Sequence, residues 1–181
     1  MASTYINNLR LNELGTGDAS GTWGTITNAN LELIADALGG TNEGLSDSAS
    51  HTSTVSDGSA ATPRSLFLTY TGNLSQQCTV TLAPNSVKIV KIIKNGTSGS
   101  QNLVIKQGSG ATISISPGET KILNFDGAGA GAAVTEVTNG LSMSSLAMTG
   151  TPTAPTAGAN TNTTQVVLNI DDAYFEKWKK I

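Results

Sequence analysis

The polar and apolar positions change period along the chain. Ile6, Leu9, Leu11 and Leu14 fit neither helix nor strand spacing, so residues 1–14 read as an arm that becomes ordered along a neighbour. A helical period follows. Leu31, Ile34, Ala35 and Leu38 fall at i, i+3, i+4 and i+7 and form one apolar stripe, with Glu32 and Asp36 off it. Thr27 or Asn28 can cap this helix, and Gly39-Gly40 stops it. At roughly 11 residues it is too short to hold alone in water, so its stripe must meet something. Residues 41–64 lose periodicity and are rich in Ser, Asp and Thr, which predicts a linker or surface loop.

From Leu66 to Val137 the period is two. SLFLTYTG, QCTVTL, VKIVKIIKNG, NLVIKQG, ATISIS, ETKILNF and AAVTEV are short alternating or β-branched runs separated by turn signals. Lys88, Lys91 and Lys94 do not all fall on one face of their strand, and a lysine-bearing edge strand would resist stray pairing. Residues 140–162 are rich in Pro, Thr and Ala and read as an extended strap. QVVLNI then offers a short strand. Asp171 or Asp172 can cap a final helix whose Tyr174, Trp178 and Ile181 share a face, with Phe175 beside them. The predicted fold is mainly β. It is an antiparallel β-sandwich or jelly-roll-like domain over 65–139, with an N-terminal arm and short helix over 1–40. A linker spans 41–64, and a strap ending in a short helix spans 140–181.

Composition points to partners. Only 13% of the residues are charged and 4% aromatic, with 20 glycines. Small polar strand formers bury little apolar area per residue, and each Å² contributes only about 25 cal/mol. Other copies or a host assembly would add the missing area. The net charge of -3 gives no basic surface for nucleic acid. No apolar run approaches the ~20 residues that cross a bilayer. The N-terminus lacks a basic region followed by an apolar one, so synthesis and assembly in a cytoplasm are expected.

Within GTGDASGTWGT, Trp23 stands among glycines 15, 17, 21 and 24. It either plugs the chain's own core or fills a pocket on a partner, since tryptophan is enriched at interface hot spots. The interface residues expected are therefore Trp23, Leu31, Ile34 and Leu38 at one end and Tyr174, Phe175 and Trp178 at the other.

No catalytic, cofactor or metal residues are expected. Gly127, Gly129 and Ala132 match G-x-G-x-x-G/A after a strand. The β-like VTEVTNG follows, whereas a dinucleotide site needs a helix there, so these residues read as a loop between strands. His51 is the single histidine and lies in a polar stretch, which predicts a solvated side chain. Cys78 is the single cysteine and reads as a small buried apolar residue. Asp171 and Asp172 are explained by capping.

NNLRLNELGTGDASGTWGTITNANLELIADAL resembles the N-terminal segment of tail-fibre and related tail proteins of tailed bacteriophages, marine ones especially. The match falls on Gly17, Gly21, Trp23, Gly24, Asn28 and Asn30. APNSVKIVKIIKNGTSGSQNLVIKQGSGATISISPGETKILNFDGAGAGAAV resembles the domain that follows in those proteins. LAMTGTPTAPTAGANTNTTQ resembles a linker repeated in phage fibres. The resemblance covers roughly residues 1–165 and departs at VVLNIDDAYFEKWKKI. It implies a non-enzymatic virion protein: a homotrimeric short tail fibre or fibre-attachment protein, docked through its N-terminal region onto a tail adaptor or nozzle. A capsid decoration protein or head fibre is the alternative. A module binding host surface glycans is a third reading, with Phe67, Tyr70 and Phe125 as its candidate aromatics.

Overall fold

The structure is a computed structural model and describes residues 3–139. They belong to one compact unit, Met1–Ser142. The strap and final helix expected over 140–181, with Tyr174, Phe175 and Trp178, lie outside the described residues.

A helix, α1 (Trp23–Leu38), precedes nine strands: β1 (Gly40–Gly44), β2 (Ser50–Thr54), β3 (Phe67–Thr71), β4 (Cys78–Ala83), β5 (Lys88–Asn95), β6 (Leu103–Lys106), β7 (Ile113–Ile115), β8 (Thr120–Asp126) and β9 (Val134–Glu136). They form a five-stranded sheet, β1-β3-β5-β8-β9, and a four-stranded sheet, β2-β4-β6-β7. The chain is thus mostly strand, with two mixed sheets and one helix.

The antiparallel sandwich or jelly roll expected from sequence is corrected here. Through β6 the strands alternate between sheets, so the chain winds as a coil and matching strands of successive turns pair in parallel. Thr41 aligns with Leu68 and Leu68 with Ile93 in one sheet. His51 aligns with Val80 and Val80 with Ile105 in the other. Only then does the chain reverse, with β7 antiparallel to β6, β8 to β5 and β9 to β8. A period of two records that a strand has two faces and says nothing of its neighbour's direction.

The inner faces share one core. Leu68, Ile93, Leu123, Phe125 and Val134 of the larger sheet meet Val80, Leu82, Leu103, Ile105 and Ile115 of the smaller. Cys78 is buried among them, and burial pushes its thiol pKa up. All seven strands expected between Leu66 and Val137 are present. The predicted lysine-bearing edge strand is not: β5 is the central strand of its sheet. Its Lys91 points inward and is fully buried.

Residues 41–64, expected as a linker or loop, instead supply β1, β2 and a 3-10 turn over Thr62–Arg64. They are the first turn of the coil. Their inward positions are Thr41, Glu43, His51 and Ser53, which align with Leu68, Tyr70, Val80 and Leu82 of the next turn. Leu45 and Val55, just after these strands, join the core, but the inward positions of β1 and β2 themselves are polar. That polarity hides both strands from a hydrophobic-pattern reading.

The expected caps also shift. Helix α1 begins at Trp23, with Thr22 in the N-cap position and no side-chain cap bond. Thr27 lies inside the helix and its Oγ1 donates to Trp23 O at 2.9 Å. Gly39 ends the helix in an extended conformation, φ -90°, and leads straight into β1.

The arm folds onto its own chain. Thr4 and Glu13 bridge, so the arm turns back on itself. Arg10 Nε reaches Asp57 Oδ1 at 2.7 Å. Buried Arg64 donates to Leu9 O, Ser56 O and Ser59 O. Asn30 of α1 exchanges bonds with the backbone of Asn12, at 3.0 and 2.9 Å. Glycine-rich residues 15–21 connect arm to helix, with Gly17 and Gly21 at positive φ.

Candidate docking surface

Helix α1 has two distinct faces. Leu33 and Ala37 are buried. On the other side Trp23 is 65% exposed, Leu31 59%, Ile34 37% and Leu38 76%. The residues expected to meet a partner are therefore all presented outward together, on an element whose adjoining face is buried. Trp23 does not plug the core. Ile6 of the folded arm is also exposed. The helix carries Glu32 and Asp36 and no basic side chain, with both carboxylates on the face turned away from this stripe.

Pattern reading identified the stripe and assigned it to a partner; it did not identify the face that packs on the body. The packing face, Ile26, Asn30, Leu33 and Ala37, contains two large apolar residues, of which only Leu33 is fully buried. The larger apolar set is the one left in solvent. The usual inference that the most apolar face seeks the core fails here.

A second apolar surface lies on the outer face of the larger sheet. Phe67 aligns with Ile92, and Ile92 with Ile122. Val137 N donates to Ile122 O at 2.8 Å, which extends the row beyond β9. Val90 points the same way, two residues along β5 from Ile92, and Phe67, Val90 and Val137 are exposed. This row was not foreseen. Its signal is visible in retrospect: in VKIVKIIK both strand faces are apolar, so one apolar face must look outward. The two surfaces adjoin, because Leu66 N donates to Ala37 O and Phe67 N to Gly39 O.

The polar mouth of the coil is closed chemically. Glu43 Oε1 accepts from Ser53 Oγ at 2.9 Å and lies 2.8 Å from His51 Nε2, while Oε2 accepts from Thr62 Oγ1 at 3.1 Å. Ser53 Oγ is 2.9 Å from the Tyr70 hydroxyl. His51, expected in a solvated loop, is thus a partly buried partner of Glu43. The Ser53 hydroxyl is fully buried and its partners are Glu43 and Tyr70, so this cluster links the two sheets and presents no exposed nucleophile. Beneath it, Lys91 Nζ donates to Ser65 O. Burial lowers the Lys91 pKa to about 8, opposed by Glu43 and assisted by Arg64.

Of the three candidate glycan-platform aromatics, Tyr70 and Phe125 are in the core and only Phe67 faces out. Gly127 and Gly129 lie in the β8–β9 connection, as expected of a loop between strands. Among the described residues no group of three His, Cys, Asp or Glu side chains could hold a metal ion. Among them, too, no helix is long and apolar enough to cross a membrane. No protein-family model, curated protein or solved structure matches the chain.

Proposed function

We propose that this chain is a non-enzymatic structural protein of a bacteriophage virion. It acts as a short tail fibre or fibre-attachment protein, working as a homotrimer and docking through its N-terminal region onto another tail protein. One observation carries the reading. Trp23, Leu31, Ile34 and Leu38 stand in solvent on a helix whose Leu33 and Ala37 are buried. Large apolar side chains grouped on a fixed element mark an interaction site more strongly than scattered ones. The sequence resemblance to phage tail proteins spans this same segment and supplies the biological setting.

Trp23 lies at the N-terminal end of this stripe and is assigned to the particle. Trp23→Ala tests the assignment, since the side chain carries little of the fold. Phage bearing this variant should assemble particles that lack the protein, while the purified variant keeps its unfolding temperature. Particles carrying it at normal copy number would refute the reading.

A further inference from the structure

We propose that the N-terminal arm is a splint that sets the tilt of α1 on the body, with Asn30 and Arg10 as positioning residues for the stripe. This rests on the docking role proposed for that stripe.

Helix α1 is anchored at one end. Its buried residues, Leu33 and Ala37, both lie in its second half. The backbone ties from Leu66 N to Ala37 O and from Phe67 N to Gly39 O are at that same end, where the chain runs on into β1. The first half lacks such anchors. Thr22 makes no side-chain cap bond, and the first turn carries no acidic residue. Gly24, Thr25, Thr27 and Asn28 are weak helix formers. A half-helix of this kind frays unless something outside it holds it.

The arm supplies that hold. Asn30 is half-buried, on the same face as Leu33. Its Nδ2 donates to Asn12 O at 2.9 Å, and its Oδ1 accepts from Asn12 N at 3.0 Å. Two bonds between one side-chain amide and one backbone residue fix direction as well as distance. Asn12 sits in a braced hairpin. Thr4 and Glu13 exchange backbone bonds of 3.0 and 2.8 Å, and the Asn7 side chain accepts from Leu11 N and donates to Leu11 O. The hairpin is in turn tied to the body at four points. Gly58 N donates to Arg10 O at 2.8 Å, and Arg10 Nε meets Asp57 Oδ1 at 2.7 Å. Arg64 donates to Leu9 O, and Lys88 N donates to Asn8 Oδ1 at 2.9 Å. A continuous path of bonds therefore runs from the body through the arm to Asn30.

The covalent link between arm and helix does not set the angle by itself. Residues 15–21 turn through Gly17 and Gly21 at positive φ, and glycine has many other conformations open to it. Leverage makes the angle matter. Trp23 lies about 21 Å along the axis from Ala37, so a tilt of about 10° at the anchored end moves it by about 4 Å. A partner that holds Leu38 would then lose Trp23.

The test uses the full chain. Asn30→Ala cuts both bonds to Asn12, yet alanine is the better helix former, so helix propensity alone would slow hydrogen exchange in α1. The splint requires the opposite: backbone N–H groups of residues 27–31 should exchange about tenfold faster, with residues 34–37 within about twofold of wild type. Arg10→Glu sets two carboxylates against each other at the body end of the arm and should speed the same N–H groups. Adding Asp57→Arg in that chain should slow them again. The Asn30→Ala chain should also lose most of its entry into particles while the sheets keep their unfolding temperature. Unchanged or slower exchange at 27–31 in Asn30→Ala would overturn the splint, as would exchange there that ignores Arg10→Glu. Normal entry of Asn30→Ala beside failed entry of Trp23→Ala would overturn it too and leave the docking reading standing. Normal entry of both variants would overturn the docking reading itself.

Discussion

Glu43 Oε1 lies 2.8 Å from His51 Nε2, joining the terminal strand of one sheet to the terminal strand of the other. The same carboxylate holds Ser53 Oγ and Thr62 Oγ1. It is the point where the first turn of the coil is tied shut. Glu43→Ala removes these bonds together and leaves partly buried donors unmatched. A loss of about 2–4 kcal/mol is expected. Glu43→Gln keeps the shape and an acceptor oxygen and should cost less. Urea denaturation of both variants checks the order. Equal costs would mean that the retained shape and acceptor oxygen contribute nothing, and that the carboxylate charge and its second oxygen carry the whole effect.

Lys91 makes stability depend on pH. Its pKa is about 8 in the folded chain against an ordinary 10.5, so the unfolded chain holds the proton more tightly between these values. Below pH 8 the penalty of the buried charge is fully present. It is relieved as pH rises from 8 toward 10.5, by roughly 3 kcal/mol at about 1.4 kcal/mol per pKa unit. Burial raises the pKa of Tyr70 above its ordinary 10 and that of Cys78 above 9. Their unfolded forms ionise first, so both groups subtract stability in alkali. The difference between the wild-type profile and that of Lys91→Met isolates the lysine. The variant should be more stable at pH 7, and its advantage should shrink toward pH 10. A constant difference across that range would place the lysine's charge outside the energetics of folding.

The coil closes its corners with backbone contacts that exclude side chains. Gly99 has φ +94°, and a Cβ there would strike Leu74 O. Gly44 has ordinary φ and open space around it. Gly99→Ala should cost at least about 2 kcal/mol through strain and displacement of the adjacent turn, while Gly44→Ala should fall within about 0.5 kcal/mol of wild type. Thermal unfolding of the pair checks this. Beside that corner, buried Asn95 donates to Gln101 O and Ile115 O and accepts from Thr97 N and Thr97 Oγ1. Asn95→Ala should cost about 2–4 kcal/mol for the same reason as Glu43→Ala.

What the sequence discloses follows from where side chains point. β3 to β9 are legible because inward Leu68, Val80, Ile93 and Leu123 alternate with polar or outward positions. β1 and β2 are illegible because Thr41, Glu43, His51 and Ser53 occupy the inward places. The direction of strand pairing leaves no trace in a single strand's alternation, so a coil of parallel strands and an antiparallel sandwich read alike. Arg64 shows the same limit differently. A charged residue in a polar stretch reads as solvated, yet it is fully buried because the arm's Leu9 carbonyl returns to it. Trp23 and the stripe on α1 were legible as residues that need a partner; which face of the helix met the body was not.

The two faces of α1 give opposite responses to substitution. Leu33 is buried against the body, and Leu33→Ala should cost about 2–3 kcal/mol, toward the low end for a buried leucine because the site adjoins solvent. Leu38 is 76% exposed, so Leu38→Ser should change stability by less than about 0.5 kcal/mol. Function should reverse the ranking. A folded Leu33→Ala chain keeps its outward surface and should still enter particles below its melting temperature. Leu38→Ser keeps the fold and should enter poorly, because it removes part of the surface that a partner uses. Denaturation curves beside the protein content of purified particles separate the two effects. Incorporation that tracks stability alone, with Leu38→Ser entering normally, would leave the exposed stripe without a role in assembly.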